Sequence, residues 1–380
     1  MRIALVHDYL NQYGGAERVL ETFTELFPDA PIYTLIYNPA HFEKHGTGLF
    51  TDKRIITSFL QKIPFAKSKH RIFPLLMPMA VEQFSLLDYD IVLSDSASFA
   101  KGVITKPNTL HICYCHTPPR YAWDDSHKYI AEFGFSGIVK KLIPFFMNYI
   151  RIWDREAALR VDKFICNSQF VAERIKKYYN REAQIIYPPV DTKKFFPSEN
   201  QSEVKNYFLM VGRLITYKRF DIAIDAFNKL GLPLKIIGSG PEIKKLMKMA
   251  RKNIEFLGEL PTDKLNYYYQ NCQALIFPQE EDFGIVALEA MACGRPVIAY
   301  RGGGALESID ENKTGIFFEQ QTAQSLIEAV KKFEPNSFNS LQIRQRAQEF
   351  DREEFKNKIK DFIEKSWKEF KFENYGVQSH

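Results

Sequence analysis

The sequence predicts an α/β protein of two doubly wound domains, and three observations carry that prediction. Its 380 residues exceed one ordinary core and suit two domains of about 150 to 190 residues each. Short apolar runs of strand length alternate with helix-spaced stretches along most of the chain. That alternation breaks once, between Ile186 and Lys205, where Pro188, Pro189, Pro197 and the polar stretch Ser198 to Ser202 form a turn-rich connection, and then it restarts.

Taken in order, Ile3 to Val6 reads as a strand, Gly14 and Gly15 as a turn, and Ala16 to Phe27 as a helix with apolar spacing through Val19, Leu20, Phe23 and Leu26. Further strands are expected at Ile32 to Ile36, Ile91 to Leu93, Leu110 to Cys115, Lys163 to Cys166 and Gln184 to Tyr187. These runs are continuously apolar, as strands covered on both faces of a parallel sheet are. After the connection, strands at Tyr207 to Val211, Leu234 to Ile237, Ile254 to Leu257, Ala274 to Phe277 and Pro296 to Ala299 alternate with helices starting near Phe220, Glu242, Lys264 and Ile285. The expected domains are residues 1–190 and 191–354, with a charged helical tail whose last part, about 355–380, returns to the first domain. Two such halves are expected to face each other across a cleft lined by the carboxyl ends of both sheets, where open α/β sheets bind ligands.

Composition excludes several classes. Hydrophobic residues make up 45% and charged residues 26%, as in soluble globular chains rather than disordered or membrane-embedded ones. A net charge of +5, from 51 basic and 46 acidic residues, is too mild for a nucleic-acid-coating protein, so no nucleic-acid partner is expected. The five cysteines are odd in number and sit mostly in apolar runs, which predicts buried, reduced thiols and a cytoplasmic setting. The opening apolar run meets His7 and Asp8 too soon for a signal peptide, and no apolar run is long enough to span a membrane.

Chemistry concentrates in Phe277 to Tyr300. There an acidic loop, Glu280 to Asp282, leads through Phe283 and Gly284 into a helix that begins at Ile285 and carries Glu289. Acidic side chains accept hydrogen bonds from sugar or ribose hydroxyls, while a helix amino terminus suits a diphosphate. Taken alone, these acids also suit a plain complement to the helix dipole. Earlier, VGRLITYKR at Val211 to Arg219 sets Arg213 just after a strand and Lys218 at a helix start. Two such cations can clamp a leaving diphosphate or form a solvated basic turn. His116 follows the strand Leu110 to Cys115 at its carboxyl end, and Tyr121, Trp123 and Asp124 lie close behind it as candidates for an acceptor side. A D-x-D at Asp88 and Asp90 precedes its strand instead of following it, the wrong end for a metal beneath a diphosphate, and Cys113 and Cys115 lack a second ligand pair for zinc. No metal is expected.

In order and spacing, these pieces resemble the family-4 retaining glycosyltransferases with the GT-B arrangement of two Rossmann-like domains. The resemblance rests on GGAER at Gly14 to Arg18, CYCHTPPRYAWD at Cys113 to Asp124, NSQF at Asn167 to Phe170, PPVD at Pro188 to Asp191, GSGPE at Gly238 to Glu242, and the Glu281 to Glu289 spacing. It implies that Arg213 and Lys218 hold the donor diphosphate, that Glu289 binds the ribose, that Glu281 approaches the donor sugar, and that His116 contacts a sugar hydroxyl. It further implies donor contacts from the backbone at Phe283, Gly284 and Ile285, from Gly238 and Gly240, and from Gly14 and Gly15, where a side chain would block close approach. No cofactor is implied beyond the nucleotide-diphosphate sugar itself.

The wording of the Glu281 and His116 segments most resembles GDP-mannose-dependent mannosyltransferases of bacterial surface-polysaccharide assembly. Saccharide or polyprenyl-linked saccharide acceptors are therefore expected. UDP-hexose users stay open, as does a sugar-nucleotide 2-epimerase, although no acid and base flanking a sugar's second carbon are found. Two basic and apolar stretches, 59–79 and 137–151, suit either a peripheral membrane contact or ordinary half-buried helices.

Overall fold

The computed structural model describes residues 1–44, 50–69, 73–124, 137–198 and 205–376. It divides into two compact units, Met1–Tyr187 with Lys356–His380, and Pro188–Phe355.

The first unit is built on seven parallel strands: β1 (Ile3–Leu10), β2 (Ile32–Tyr37), β3 (Ile55–Thr57), β4 (Ile91–Ser96), β5 (Leu110–Cys115), β6 (Lys163–Cys166) and β7 (Ala183–Ile185). Their order is β3-β2-β1-β4-β5-β6-β7. The sequence of winding reverses between β1 and β4, which leaves a crevice at the carboxyl ends of these strands. The helix Gly15–Leu26 follows β1 and buries Val19, Leu20 and Phe23 against the sheet. Apolar clusters that include Val6, Leu35 and Val92 in one, and Cys113, Phe164 and Val171 in another, fill the rest of the core.

The second unit repeats the plan with β8 (Phe208–Val211), β9 (Leu234–Ile237), β10 (Ile254–Gly258), β11 (Leu275–Phe277), β12 (Val297–Tyr300) and β13 (Gly315–Phe318), ordered β10-β9-β8-β11-β12-β13. All its neighbours are parallel. Its reversal falls between β8 and β11. The helices Phe220–Leu230 and Ala323–Lys332 pack Phe227, Leu326 and Val330 into the same core as Phe208 and Ile236.

Three differences from the sequence reading have physical causes. β1 continues past Val6 to Leu10 because its polar residues are satisfied inside the fold. Asp8 accepts backbone N–H groups from Ala97 (2.7 Å), Phe99 (2.7 Å) and Ala100 (2.6 Å), and His7 pairs with Asp95. The edge strands β3 and β13 were not anticipated, being three and four residues long. β7 lies slightly earlier than expected, and Ile186 instead bonds to Cys166 through its N–H at 2.9 Å.

The tail forms two helices, Ser340–Gln348 and Arg352–Tyr375. The second begins in the second unit and continues in the first, where Lys356 pairs with Glu25 at 2.8 Å and Glu369 with Lys163 at 3.0 Å. All five cysteines are free and buried. Among the described residues, no helix is long and apolar enough to cross a membrane.

Candidate functional site

In the second unit, the loops after β8 and β11 meet at the reversal point of the sheet. β8 ends at Val211, Gly212 turns the chain at φ +150°, and Thr216–Lys218 forms one 3-10 turn. Lys218 comes back over Gly212: a Cβ on that glycine would stand 3.3 Å from Lys218 Cδ and 3.4 Å from its Nζ. From the neighbouring strand, the acidic loop brings Glu281 to Lys218, and the two form an ion pair with only 11% and 15% of their side chains exposed. Burial opposes the charge on Lys218, but Glu281 more than offsets it, so the ammonium is held above its ordinary range. Arg213 is exposed, and its positive charge pushes the other way on Lys218. The two predicted cations and Glu281 are thus brought together by the fold.

Phe283 is buried, and Gly284 caps the helix Ile285–Ala292 with φ +94°, a conformation that favours glycine. A Cβ there would come within 2.6 Å of the Phe277 ring. The first backbone N–H groups of that helix lack intrahelical acceptors, as at any helix start, and carry its positive pole. Gly302, Gly303 and Gly304 pack on the acidic loop from β12. Gly304 donates its N–H to the Glu281 carbonyl at 2.9 Å, and a Cβ on it would crowd Asp282 O at 2.6 Å. The sequence reading missed this turn, although three consecutive glycines after a strand were a visible signal.

Gly238 and Gly240 serve backbone packing. Gly238 has φ +133°, and a side chain there would run into the Gly212 carbonyl, while one on Gly240 would meet the Leu214 backbone. The Leu214 N–H donates to Ser239 O at 2.8 Å, so this glycine pair lets one loop brace the cationic one. Glu289 is fully buried, with Oε2 accepting the Tyr269 hydroxyl at 2.8 Å. It therefore faces inward, toward the helix that carries Tyr269.

The first unit holds the remaining predicted residues. Gly14 is extended (φ −147°), so its conformation suits any residue; a side chain there would crowd the Glu17 carboxylate at 3.3 Å. Glu17 Oε2 accepts the Gly14 N–H at 2.7 Å. Gly15 is exposed at the start of the helix. His116 follows β5, with its ring edge-on to Tyr114 and Nε2 on Asp95 Oδ1 at 2.5 Å.

His7 lies behind that contact, fully buried, with Nδ1 on Asp95 Oδ2 at 2.8 Å and Nε2 3.7 Å from Glu17 Oε1. Burial alone would lower its pKa, but the hydrogen bond to Asp95 and the nearby Glu17 carboxylate raise it from 6.5 to about 10. A histidine raised on folding stabilises fully below its unfolded value, and that stability is lost as pH climbs through the folded one. The melting temperature of His7→Gln is therefore expected to approach that of the unsubstituted protein as pH rises from 6.5 to 10. A constant gap in calorimetric scans across that range would contradict the charged state.

Trp123 stacks on Tyr178 at 4.7 Å, and Asp124 pairs with Arg174 and Tyr178, which places the predicted acceptor-side residues in one cluster with Tyr121 bonded to Ser98 at 2.5 Å. Asp90 accepts the Arg2 N–H at 2.7 Å at the amino end of the sheet. In the stretch 59–79, Phe65 is 73% exposed and Met79 48%. In the helix Gly137–Leu159, Phe145, Tyr149 and Ile152 are exposed at helical spacing. Arg71 and the side chains of Lys69, Lys140 and Lys141 lie outside the described residues.

Comparison with known proteins fits this geometry. The family model for Glycosyltransferase Family 4 matches residues 13–194, and that for Glycosyl transferases group 1 matches residues 191–353. The chain is 32% identical over 185 residues to an uncharacterised glycosyltransferase of Methanocaldococcus jannaschii, a match covering 47% of this chain and 52% of that one. It is 24% identical over 405 residues to the alpha-1,3/1,6-mannosyltransferase ALG2 of Dictyostelium discoideum, covering 90% of this chain and 91% of the relative. Over 192 residues it is 28% identical to a GDP-mannose-dependent alpha-(1-6)-phosphatidylinositol monomannoside mannosyltransferase of Mycobacterium tuberculosis, covering 43% and 50%. The chain thus spans about half the length of two of these three relatives.

Among solved structures, the HepE protein of Anabaena in complex with UDP superposes with a TM-score of 0.70 at 18% identity, covering 96% of this chain and all of that one. A sucrose-phosphate synthase of Thermosynechococcus elongatus does so with a TM-score of 0.74 at 17% identity, covering 97% and 99%. With one family model on each parallel-sheet unit, and the two together running from residue 13 to residue 353, the chain belongs to the GT-B glycosyltransferases of family 4.

Proposed function

We propose that this chain is a retaining, metal-independent mannosyltransferase that moves mannose from GDP-mannose to a saccharide or polyprenyl-linked saccharide acceptor. The observation that carries the reading is the Lys218–Glu281 pair beside Arg213, at the reversal point of the second sheet and next to a helix amino terminus. An ammonium has three donors, and Glu281 engages it on one side, leaving others for a phosphate oxygen. The chemical problem is the negative charge that gathers on the diphosphate as the bond to the anomeric carbon breaks. Preorganised cations and backbone N–H groups stabilise that charge without a metal and without reorganising during the reaction. With the acceptor hydroxyl arriving on the face the diphosphate leaves, a departing phosphate oxygen takes the acceptor proton, so no separate base is required.

The choice of mannose and guanine rests on the mannosyltransferase relatives together with the wording of the Glu281 and His116 segments. The exposed Phe65, with Lys62 and Lys67 on the same stretch, and the exposed Phe145 and Tyr149 on the second stretch support peripheral contact with a bilayer carrying a lipid-linked acceptor.

The test is a thermal-shift panel of GDP-mannose, GDP-fucose, UDP-glucose and UDP-galactose. A ligand at one hundred times its dissociation constant stabilises by about 2.7 kcal/mol. The expected result is selective stabilisation by GDP-mannose, followed by release of GDP only when an acceptor is supplied. Stabilisation by a UDP sugar alone would reassign the donor. Interconversion of two sugar nucleotides without acceptor would make the chain an epimerase.

A further inference from the structure

The first unit contains a continuous chain of buried ionisable groups that the proposed mechanism does not use. Its origin is the register of the sheet. His7 on β1 lies directly opposite Asp95 on β4, and Asp95 lies opposite Tyr114 on β5. Partners in a parallel ladder present their side chains on the same face, so these three form a row across the middle of the sheet. His116, two residues beyond Tyr114, turns back onto the row through Nε2. At the other end, the helix that follows β1 returns Glu17 to His7.

A carboxylate only accepts hydrogen bonds. Asp95 is bonded by both histidines, so His7 must present Nδ1–H to Oδ2 and His116 must present Nε2–H to Oδ1. Burial would raise the Asp95 pKa, but the two histidines outweigh it and hold this carboxyl below its ordinary range, so it is ionised as this scheme needs. Nδ1 of His116 makes no hydrogen bond among the described residues, and the side chain keeps 12% of its surface open, whereas His7 and Asp95 are sealed at 1% and 0%. Glu17 spends its other oxygen on the Gly14 N–H.

We infer that Asp95, backed by His7 and Glu17, is a positioning relay that fixes His116 with Nε2 protonated inward and Nδ1 directed to the ligand, and that ties this ring to the Gly14 turn. The inference rests on the proposed function for what Nδ1 meets, a hydroxyl of the donor sugar. None of the three relay residues touches the ligand. Their effect is orientation: a ring free to flip presents the wrong nitrogen, and a misplacement of about 1 Å costs on the order of 100-fold in rate.

The experiment has one readout that needs no substrate. Nitrogen-15 NMR of the histidine-labelled full chain, with His116 assigned by loss of its signals in His116→Gln, reports which ring nitrogen carries the proton. A proton on Nε2 is expected; a neutral ring protonated at Nδ1 alone overturns the inference whatever the enzyme's substrate. The second readout is kinetic. Asp95→Asn and His7→Gln are each expected to lower kcat about 100-fold, with the dissociation constant of the free nucleoside diphosphate within twofold of the unsubstituted value. The expected split arises because the relay bears on the sugar and not on the phosphates. Unchanged kcat in both folded variants rejects the relay, as does an equal loss of nucleotide affinity. If the unsubstituted chain turns over no sugar nucleotide, the proposed donor chemistry fails, and the ring-nitrogen signature alone decides the relay.

Discussion

Replacing Lys218 with alanine is expected to lower kcat by about 100- to 1,000-fold, equivalent to about 2.7–4 kcal/mol of transition-state stabilisation. The same loss is expected from Arg213→Ala. Lys218 sits at the point where β8 and β11 diverge, its stem passes over a glycine that leaves room for it, and its head is held by Glu281. A charge placed by that much structure is preorganised, and preorganisation is what makes one donor worth so much in a water-poor site. Glu281 retains Gln279 Nε2 at 3.4 Å when the lysine is removed, so the loop keeps a partner and the unit should still fold. The measurement is steady-state transfer, with calorimetry as the control for folding. Because the two residues are coupled, Lys218→Ala in a Glu281→Gln background should cost less than the sum of the single changes. Near-normal transfer by both cation variants would remove the clamp from the mechanism.

The largest effect on stability is expected from Asp154→Ala. Asp154 and Lys101 form an ion pair with 1% exposure on each side, and the same carboxylate accepts Trp123 Nε1 and the Tyr179 hydroxyl, both at 2.8 Å. Lys101 also donates to Ser98 O at 2.6 Å. Burial works against the lysine charge, and Asp154 reverses that, raising its pKa. Removing the acid leaves a buried ammonium uncompensated and two donors unpaired, a loss of about 3–5 kcal/mol. At about 2–4 °C per kcal/mol for a unit of this size, the melting temperature should fall by roughly 10 °C. The double variant Lys101→Met, Asp154→Leu should recover much of the loss, because two apolar residues carry no desolvation cost. A double variant as unstable as Asp154→Ala would show that the two hydrogen bonds from Trp123 and Tyr179, not the charge pair, carry the loss.

The proximity of Arg213, Lys218 and Glu281 was legible in the sequence because the parts are local. Arg213 and Lys218 fall in one nine-residue segment after a strand, and Glu281 to Ile285 in another. Glycines mark the turns, and the order of the segments follows from the alternating α/β pattern. What stayed hidden depends on register and on inward direction. His7 and Asp95 are 88 positions apart and meet only because β1 pairs with β4 in one particular alignment. The same His7 and Asp8 made β1 look four residues shorter than it is, since polar residues ordinarily end a buried strand. Glu289 was placed correctly about one turn into its helix, yet spacing alone does not say that Tyr269 holds its carboxylate inside. The edge strands β3 and β13 are too short to show a period.

The helix Arg352–Tyr375 carries a consequence for synthesis. It contributes Ile359, Ile363 and Phe370 as buried residues of the first unit, after the whole of the second unit has been made. The half of the protein that is translated first is therefore the last to be completed. Until residues 356–370 leave the ribosome, that unit lacks part of its apolar packing, and the later half can close around its own core while the earlier one waits.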